Sequence, residues 1–465
     1  MRPPDPEPRP PFRDRRAFLI GLAAASGLGG AAVAAGALAT RLDGPAVSSV
    51  PAERLVRPAR HGDVVTVFNV GQLRSEVANA VERAASAANG AWSPARSASV
   101  GLVAVRRGLQ FVQRAPSGFR YPMVVTAMPA PVAGAVLDAE VGAVIASGDV
   151  AMSERTAGLR GARAGDQIDI VAADGRLQSF RVGLVAADVQ VGGAELVMSN
   201  VVADRLGITR STRAVMWGFS SRGDVESALA VNGIPGGISE VRAVRSWAPP
   251  NPDSTLGTAR TKELLGEFAY RVNADGSMTQ QASWVAANLP AERELLNETI
   301  RIRTRCHRAV VDDLRSALAD VAAAGLAGAI DVANSNRFGG VHNPRFNRIS
   351  GELGFVSRHA WAMALDVNTV TNCQGCVPRM NCEVVRIFRR HGFAWGGNFL
   401  RPDGMHFEWV GVRRDRISYP SKYCPNPISA QTQSVVTGDS RDLLFADDTL
   451  ATGHDDAHDH AHDHG

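Results

Sequence analysis

Apolar and polar positions along this chain follow two different periods. An apolar run from Val64 to Val70 fits a buried strand, and Leu73, Val77, Ala80, Val81 and Ala84 then recur at the spacing of one helical face. A second strand is expected at Val100 to Val105. Ile168 to Ile170 and Phe180 to Val185 flank Asp174-Gly175, and an Asp-Gly turn between alternating apolar segments predicts a β-hairpin. The pattern lapses at Trp247-Ala248-Pro249-Pro250-Asn251-Pro252-Asp253, where three prolines and polar turn formers predict a linker over 246–259. Beyond it, Val310, Val311, Leu314, Leu318 and Val321 mark a helix over Arg308 to Ala324 that Gly325 stops. A short strand is expected at Ala329 to Ala333, and a further helix from Glu383 to His391. The chain therefore reads as α+β throughout, with folded domains over 61–245 and 260–428. In the first, no acidic, His or Cys residues are paired for chemistry, so it is read as a binding or positioning domain.

The ends obey other rules. A Pro- and Arg-rich start leads into Arg15-Arg16-Ala17-Phe18-Leu19-Ile20 and a mildly apolar Gly/Ala-rich run to Ala39, with small residues at Ala37-Leu38-Ala39 for cleavage. This opening resembles a twin-arginine export signal over 1–39, followed by a linker over 40–60. The run of about twenty residues is also long enough to cross a bilayer, so an uncleaved membrane tether stays open. Either reading places the rest outside the cytoplasm. After Pro427 the chain turns polar and ends in five histidines interleaved with aspartates, from His454 to His464. Such a tail, over 429–465, has no means of building a core; it is a candidate for weak metal capture or a solvated terminus. The formal net charge of +4 over 465 residues, with no basic block interleaved with aromatics, excludes a nucleic-acid footprint.

All five cysteines, Cys306, Cys373, Cys376, Cys382 and Cys424, fall in the second domain. In an exported protein disulfides are the default, and an odd number leaves one thiol over; a structural zinc at Cys373-x-x-Cys376 is the competing reading. The same domain holds Ser357-Arg358-His359-Ala360-Trp361-Ala362-Met363-Ala364-Leu365-Asp366 and, later, Asp403-Gly404-Met405-His406-Phe407-Glu408-Trp409. Two imidazoles and one carboxylate suit a catalytic zinc, since they cancel one of its two charges and leave a fourth position for water. The metal lowers that water's pKa toward ~7, and a carboxylate beside it can take the proton. Asp403, three residues before a ligand, is the candidate.

These motifs resemble the zinc D-alanyl-D-alanine carboxypeptidase family of peptidoglycan peptidases, which includes L-alanyl-D-glutamate peptidases, over roughly Cys306 to Trp409. The family pattern Ser-x-His-x-x-Gly-x-Ala-x-Asp maps onto Ser357, His359, Ala364 and Asp366, and an acid three before a His-Phe-Glu strand maps onto Asp403 and His406. The resemblance implies His359, Asp366 and His406 as ligands of one Zn2+, Asp403 as catalytic base, and the α+β fold shared with the Hedgehog signalling domain. The family's central glycine is Ala362 here, a departure expected to shift the geometry slightly. It also implies an arginine on the substrate carboxylate or the developing oxyanion: Arg337, after the expected strand, or Arg345, in Asn343-Pro344-Arg345.

Alternation puts Glu408 on the face of His406, as an orienting partner or a structural carboxylate. His391 reads as a helix cap, with His342 and His307 similarly structural. Trp361, Trp395 and Trp409 are groove or core. Gly148 to Gly207, with its Gly-Asp turns, resembles the extracytoplasmic domain of bacterial export-type permeases, where a similar strand-turn-strand element sits in a small mixed domain; a protein partner through 61–245 fits the binding or positioning role. The function expected is an exported zinc peptidase of peptidoglycan stem peptides, D,D-carboxypeptidase-like. An endopeptidase of the L-Ala-D-Glu type and a non-catalytic zinc-containing wall-binding protein remain the alternatives.

Overall fold

The apolar run near the start becomes β1 (Val64–Asn69), buried at every position. It does not alternate because both faces are covered: Val65 and Val67 pack with the helix α1 (Ser75–Ala87), Val64 with an apolar cluster on the other side. This computed structural model describes residues 62–426 apart from 235, 237–239, 333–337 and 348–353. The export signal, the 40–60 linker, the tail over 429–465 and Arg337 lie outside the described residues.

Next come β2 (Ala91–Arg107), β3 (Gln110–Arg114), β4 (Tyr121–Met128), α2 (Ala130–Val136), α3 (Ala139–Ala146), β5 (Val150–Ser153) and α4 (Glu154–Arg160). They are followed by β6 (Gln167–Val171), β7 (Leu177–Ala186), β8 (Leu196–Ser199), α5 (Asn200–Arg205), β9 (Arg213–Trp217), α6 (Arg222–Val231) and β10 (Val241–Arg245). Long β2 serves several neighbours: its start pairs with β9, its middle with β4, and its end with β3 and β6. The path β2-β4-β8-β5-β7-β6 thus returns to β2 and closes a barrel-like ring. The expected hairpin is β6 and β7, antiparallel, with Gly175 at φ 79° in its turn.

The second part begins with α7 (Thr258–Leu265), then β11 (Tyr270–Val272), β12 (Met278–Gln280), α8 (Ala282–Asn288), β13 (Glu294–Leu295), β14 (Arg303–Thr304) and α9 (Val311–Ala323). After these, β15 (Phe338–Gly340), β16 (Ala364–Val367), α10 (Cys382–Arg390), β17 (Phe393–Trp395) and β18 (His406–Trp409) build an antiparallel sheet in the order β15-β16-β18-β17. Leu314 and Leu318 of α9 and Val384 and Phe388 of α10 share one core with Phe393 and Phe407 of that sheet. The strand expected at Ala329 to Ala333 does not form where it is described. Ala327–Ala329 is a 3-10 turn, and the Asn368 side chain takes up the backbone of Ala329 and Asp331 instead.

Between the two parts, Ser246, Asp253, Ser254, Thr255 and Thr258 are buried, so the proline-rich segment is packed at its start and from Asp253 onward, while Pro249 is exposed. Next to it, α7 plants the fully buried Lys262 against the Pro122 carbonyl of β4, with Glu195 at 2.7 Å and Glu267 at 3.0 Å. Arg160 of α4 completes this four-charge cluster by pairing with Glu267. Burial opposes ionisation of Glu267, but Arg160 and Lys262 hold its carboxyl below its ordinary pKa. Among the described residues no helix is long and apolar enough to cross a membrane.

Candidate metal centre

The centre is assembled from one tight turn and two paired strands. The Ser357 hydroxyl accepts from the His359 amide at 3.3 Å and caps a turn of 3-10 helix, Arg358–Trp361. Ala362 follows in the left-handed region, φ 52° and ψ 38°, and turns the chain into β16. Here the departure from glycine is explicit: an alanine holds a conformation that glycine adopts without strain. Asp366 of β16 lies directly opposite His406 of β18, which puts their side chains on one face of the sheet.

His359, Asp366 and His406 are all buried, and one ligand atom from each lies within 4.8 Å of the others. His359 Nε2 stands 3.1 Å from Asp366 Oδ2, and His406 Nδ1 stands 2.9 Å from Asp366 Oδ1. The far nitrogen of each ring is also held. His359 Nδ1 donates to the Val341 carbonyl at 3.0 Å, and since a carbonyl only accepts, Nδ1 carries the hydrogen. In the neutral ring Nε2 then turns a lone pair toward a carboxylate, an arrangement that asks for a cation or a further proton between them.

The same logic holds for His406, whose Nε2 faces Glu408 Oε2 at 3.4 Å while Nδ1 faces Asp366. Burial alone would lower the His406 pKa, but the Asp366 and Glu408 carboxylates hold it at about 10. Burial likewise opposes ionisation of Asp366, yet the two imidazoles hold its carboxyl well below the ordinary range. Positive charge is strongly favoured at this point, and the donor set, two imidazoles with outer partners plus one carboxylate, fits a divalent metal.

Glu408, fully buried, meets Arg358 Nε at 3.3 Å through its other oxygen. Arg358 is buried too; it donates to Thr261 Oγ1 of α7 at 3.1 Å and to the Leu256 carbonyl at 2.7 Å. Asp403 is also fully buried, and its carbonyl accepts from the His406 amide at 3.2 Å. Gly396 makes room for both: a Cβ there would stand 2.5 Å from Asp403 O, 3.1 Å from His406 Cβ and 3.2 Å from Asp403 Cβ.

Residues 350–409 match the family model described as D-alanyl-D-alanine carboxypeptidase. The matched segment holds His359, Asp366, Asp403, His406 and Glu408, and the resemblance read from their motifs is to this family. Its members are metal-dependent peptidases, and the His-Asp-His group is of a kind that can hold a metal ion. No curated protein matches the chain.

Around the matched segment the other expected residues separate. Arg345 is half-buried and its carbonyl accepts from the Ser357 amide at 3.0 Å, so its backbone adjoins the turn carrying His359. Cys373 pairs with Cys376 and Cys382 with Cys424; these disulfides take the place of a structural zinc at Cys373 and Cys376. The leftover thiol is Cys306, buried, which pushes its pKa up to about 12. His391 ends α10 with its ring 2.8 Å from Asp320 Oδ2, His342 faces Gln280 at 2.8 Å, and His307 faces the Leu265 carbonyl at 3.0 Å. Trp361, Trp395 and Trp409 are core. Arg358 escaped the sequence reading because nothing in its position, one residue before a ligand, signals an inward-facing guanidinium.

Proposed function

We propose that this protein is an exported zinc peptidase that removes the C-terminal residue from peptidoglycan stem peptides. One observation carries the reading: the segment that matches the carboxypeptidase family is the segment in which His359, Asp366 and His406 converge. A zinc ion held by these three would supply Lewis-acid polarisation and an acidified water. Asp403, three residues before His406 and fully buried, would take the proton of the attacking water and pass it to the leaving amine. Glu408 and the Val341 carbonyl fix the outer nitrogens of His406 and His359, so both rings present the required lone pair.

A cationic wall supports the carboxypeptidase over the endopeptidase. A cavity of about 570 Å³ is lined by Arg305, Arg308, His342 and Pro344 together with the apolar Val285 and Leu289. Its His342–Pro344 side is the chain segment whose Asn343 amide donates to the His359 carbonyl at 3.1 Å. Among the described residues neither Arg305 nor Arg308 pairs with a carboxylate, and both bond backbone carbonyls. They offer positive charge for a free peptide C-terminus.

Export agrees with the Cys382–Cys424 pair, since disulfides persist in oxidising compartments. On this reading the 61–245 domain serves positioning or a protein partner, and the terminal histidines serve weak metal capture or are a solvated terminus. The test is mass spectrometry of muropeptides incubated with the zinc-loaded protein, Asp403→Ala and His359→Ala. Loss of terminal D-Ala, abolished in both variants, is expected. Internal fragments would make it an endopeptidase, and unchanged muropeptides with zinc bound would make it a binding protein.

A further inference from the structure

The loop between β16 and α10 carries a turn that does not contribute a metal ligand and yet lies directly on the proposed base. Gln374 pairs with Asp403 as an isolated antiparallel bridge, and its Nε2 donates to Asp403 Oδ2 at 3.4 Å. The adjoining backbone repeats the association. The Gly375 amide donates to the Pro402 carbonyl at 2.6 Å, and the Met405 amide to the Asn372 carbonyl at 3.1 Å, so 372–375 runs alongside 402–405. Asn372, buried, turns its side chain inward to accept from the Arg379 amide at 2.7 Å and sits against Gly404, where a Cβ would meet Asn372 Oδ1 at 2.9 Å. The turn itself is closed twice, by the Cys376 amide on the Cys373 carbonyl at 3.1 Å and by the Cys373–Cys376 disulfide.

A covalent closure over a separation of only three residues removes little entropy from an unfolded chain of this length, so global stability is a weak reason for it. What it does restrict is the one turn that presents Gln374. A buried carboxylate that must accept a proton in one direction is served by a neutral donor fixed on its other side, because the donor orients the group while leaving it its charge.

We propose that Gln374 is the positioning residue of Asp403, and that the Cys373–Cys376 disulfide holds the Gln374 carboxamide on that acid. This rests on the reading of Asp403 as the base. Gln374 is not one of the three candidate metal ligands, and on this account it acts through Asp403.

The experiment uses the full-length zinc-loaded protein with a muropeptide substrate, comparing wild type, Asp403→Asn, Gln374→Met, Gln374→Glu and the double variant Cys373→Ser/Cys376→Ser. Zinc content and KM are expected to stay at wild-type values. The kcat falls about tenfold in Gln374→Met, the loss of a single hydrogen bond to a charged group, and further in Gln374→Glu, which sets a second carboxylate against the first. A role in packing alone would make Met and Glu equivalent or would move KM and zinc content. In the double serine variant kcat falls like that of Gln374→Met, and hydrogen exchange at the Gly375 and Met405 amides accelerates while exchange in α9 and β18 does not. Full kcat in Gln374→Met beside an inactive Asp403→Asn overturns the positioning role. Unchanged exchange in the serine variant overturns the clamp, and this arm reads out without turnover. An active Asp403→Asn removes the base itself and sinks the function reading separately.

Discussion

Asp253, at the end of a proline-rich stretch that reads as linker, is 1% exposed, and its carboxylate organises the outer edge of the sheet that carries the candidate metal centre. Arg389 of α10 grips it with two parallel hydrogen bonds, at 2.9 and 2.6 Å, while the Trp395 amide and the Asn398 side chain donate at 3.1 and 2.8 Å. Arg389 is itself wholly buried, and its remaining nitrogen is taken by the Cys424 carbonyl and Asn426. Replacing Asp253 by alanine leaves that guanidinium buried without its counter-charge, a change that costs about 3–5 kcal/mol. Against a typical domain stability of ~5–15 kcal/mol this is a large share, equivalent to roughly a hundredfold or more in the unfolding equilibrium. Urea unfolding followed by tryptophan fluorescence measures it. The second half of the test is Arg389→Met placed in the same molecule. Removing both charges eliminates the uncompensated ion, so the double variant should be more stable than the sum of the single losses predicts, by about 2 kcal/mol. A single Asp253→Ala loss below about 1 kcal/mol, or strict additivity in the double variant, would refute the claim that this segment is fastened by a buried ion pair.

Three further outcomes follow from local geometry. Gly396→Ala drives a methyl to within 2.5 Å of the Asp403 carbonyl, so a loss of about 1–3 kcal/mol is expected together with weaker zinc binding by competition with a chelator. Unchanged zinc affinity would show that Asp403 and His406 move independently. At Ala362, φ 52° admits glycine freely and a β-branched residue badly, so Ala362→Val should lose at least about 2 kcal/mol while Ala362→Gly stays within about 1 kcal/mol of wild type. His307 has its pKa lowered to about 4 by burial, which outweighs its bond to the Leu265 carbonyl. The unfolded chain therefore binds one proton more than the folded one between pH ~6.5 and ~4, and that contribution of up to about 3 kcal/mol is lost as pH falls through the window. Stability against pH in His307→Gln should be correspondingly flatter there, and identical slopes would discount His307.

What the sequence disclosed depended on how local each cause was. The hairpin of β6 and β7 was legible because an Asp-Gly turn and alternating flanks are adjacent in the chain. The pairing of Asp366 with His406 could be guessed only through motifs, since nothing in a forty-residue separation reveals strand register. Closure of β2 onto β6 was illegible for the same reason: a strand of seventeen residues changes partners along its length, and periodicity records burial but not partner. The prolines of 246–259 were read by composition, which registers turn formation but not that a buried arginine 136 residues later would hold Asp253. Asn368 defeated the strand expected after Gly325 by satisfying its backbone with a side chain, a competition that propensity does not register.

The helix α7 connects these observations to the metal centre. Thr261 and Lys262 are neighbours on it, yet they point into different chemistry: Thr261 Oγ1 accepts from Arg358, and Lys262 enters the Glu195 and Glu267 cluster beneath β4. Arg358 in turn meets Glu408, and Glu408 meets His406. Two sets of buried polar contacts, joined at the neighbouring residues Thr261 and Lys262, therefore link the barrel-like sheet to the His406 imidazole of the candidate metal centre. Each member is buried, and a buried ion that loses its partner is strongly destabilised, so α7 cannot leave the sheet without exposing or orphaning Lys262 and Glu267. The position of α7 then fixes where Thr261 meets Arg358. On this geometry the first part of the chain does more for the second than adjoin it, since Glu195 holds the helix that carries the Thr261 contact to Arg358, the partner of Glu408 beside His406.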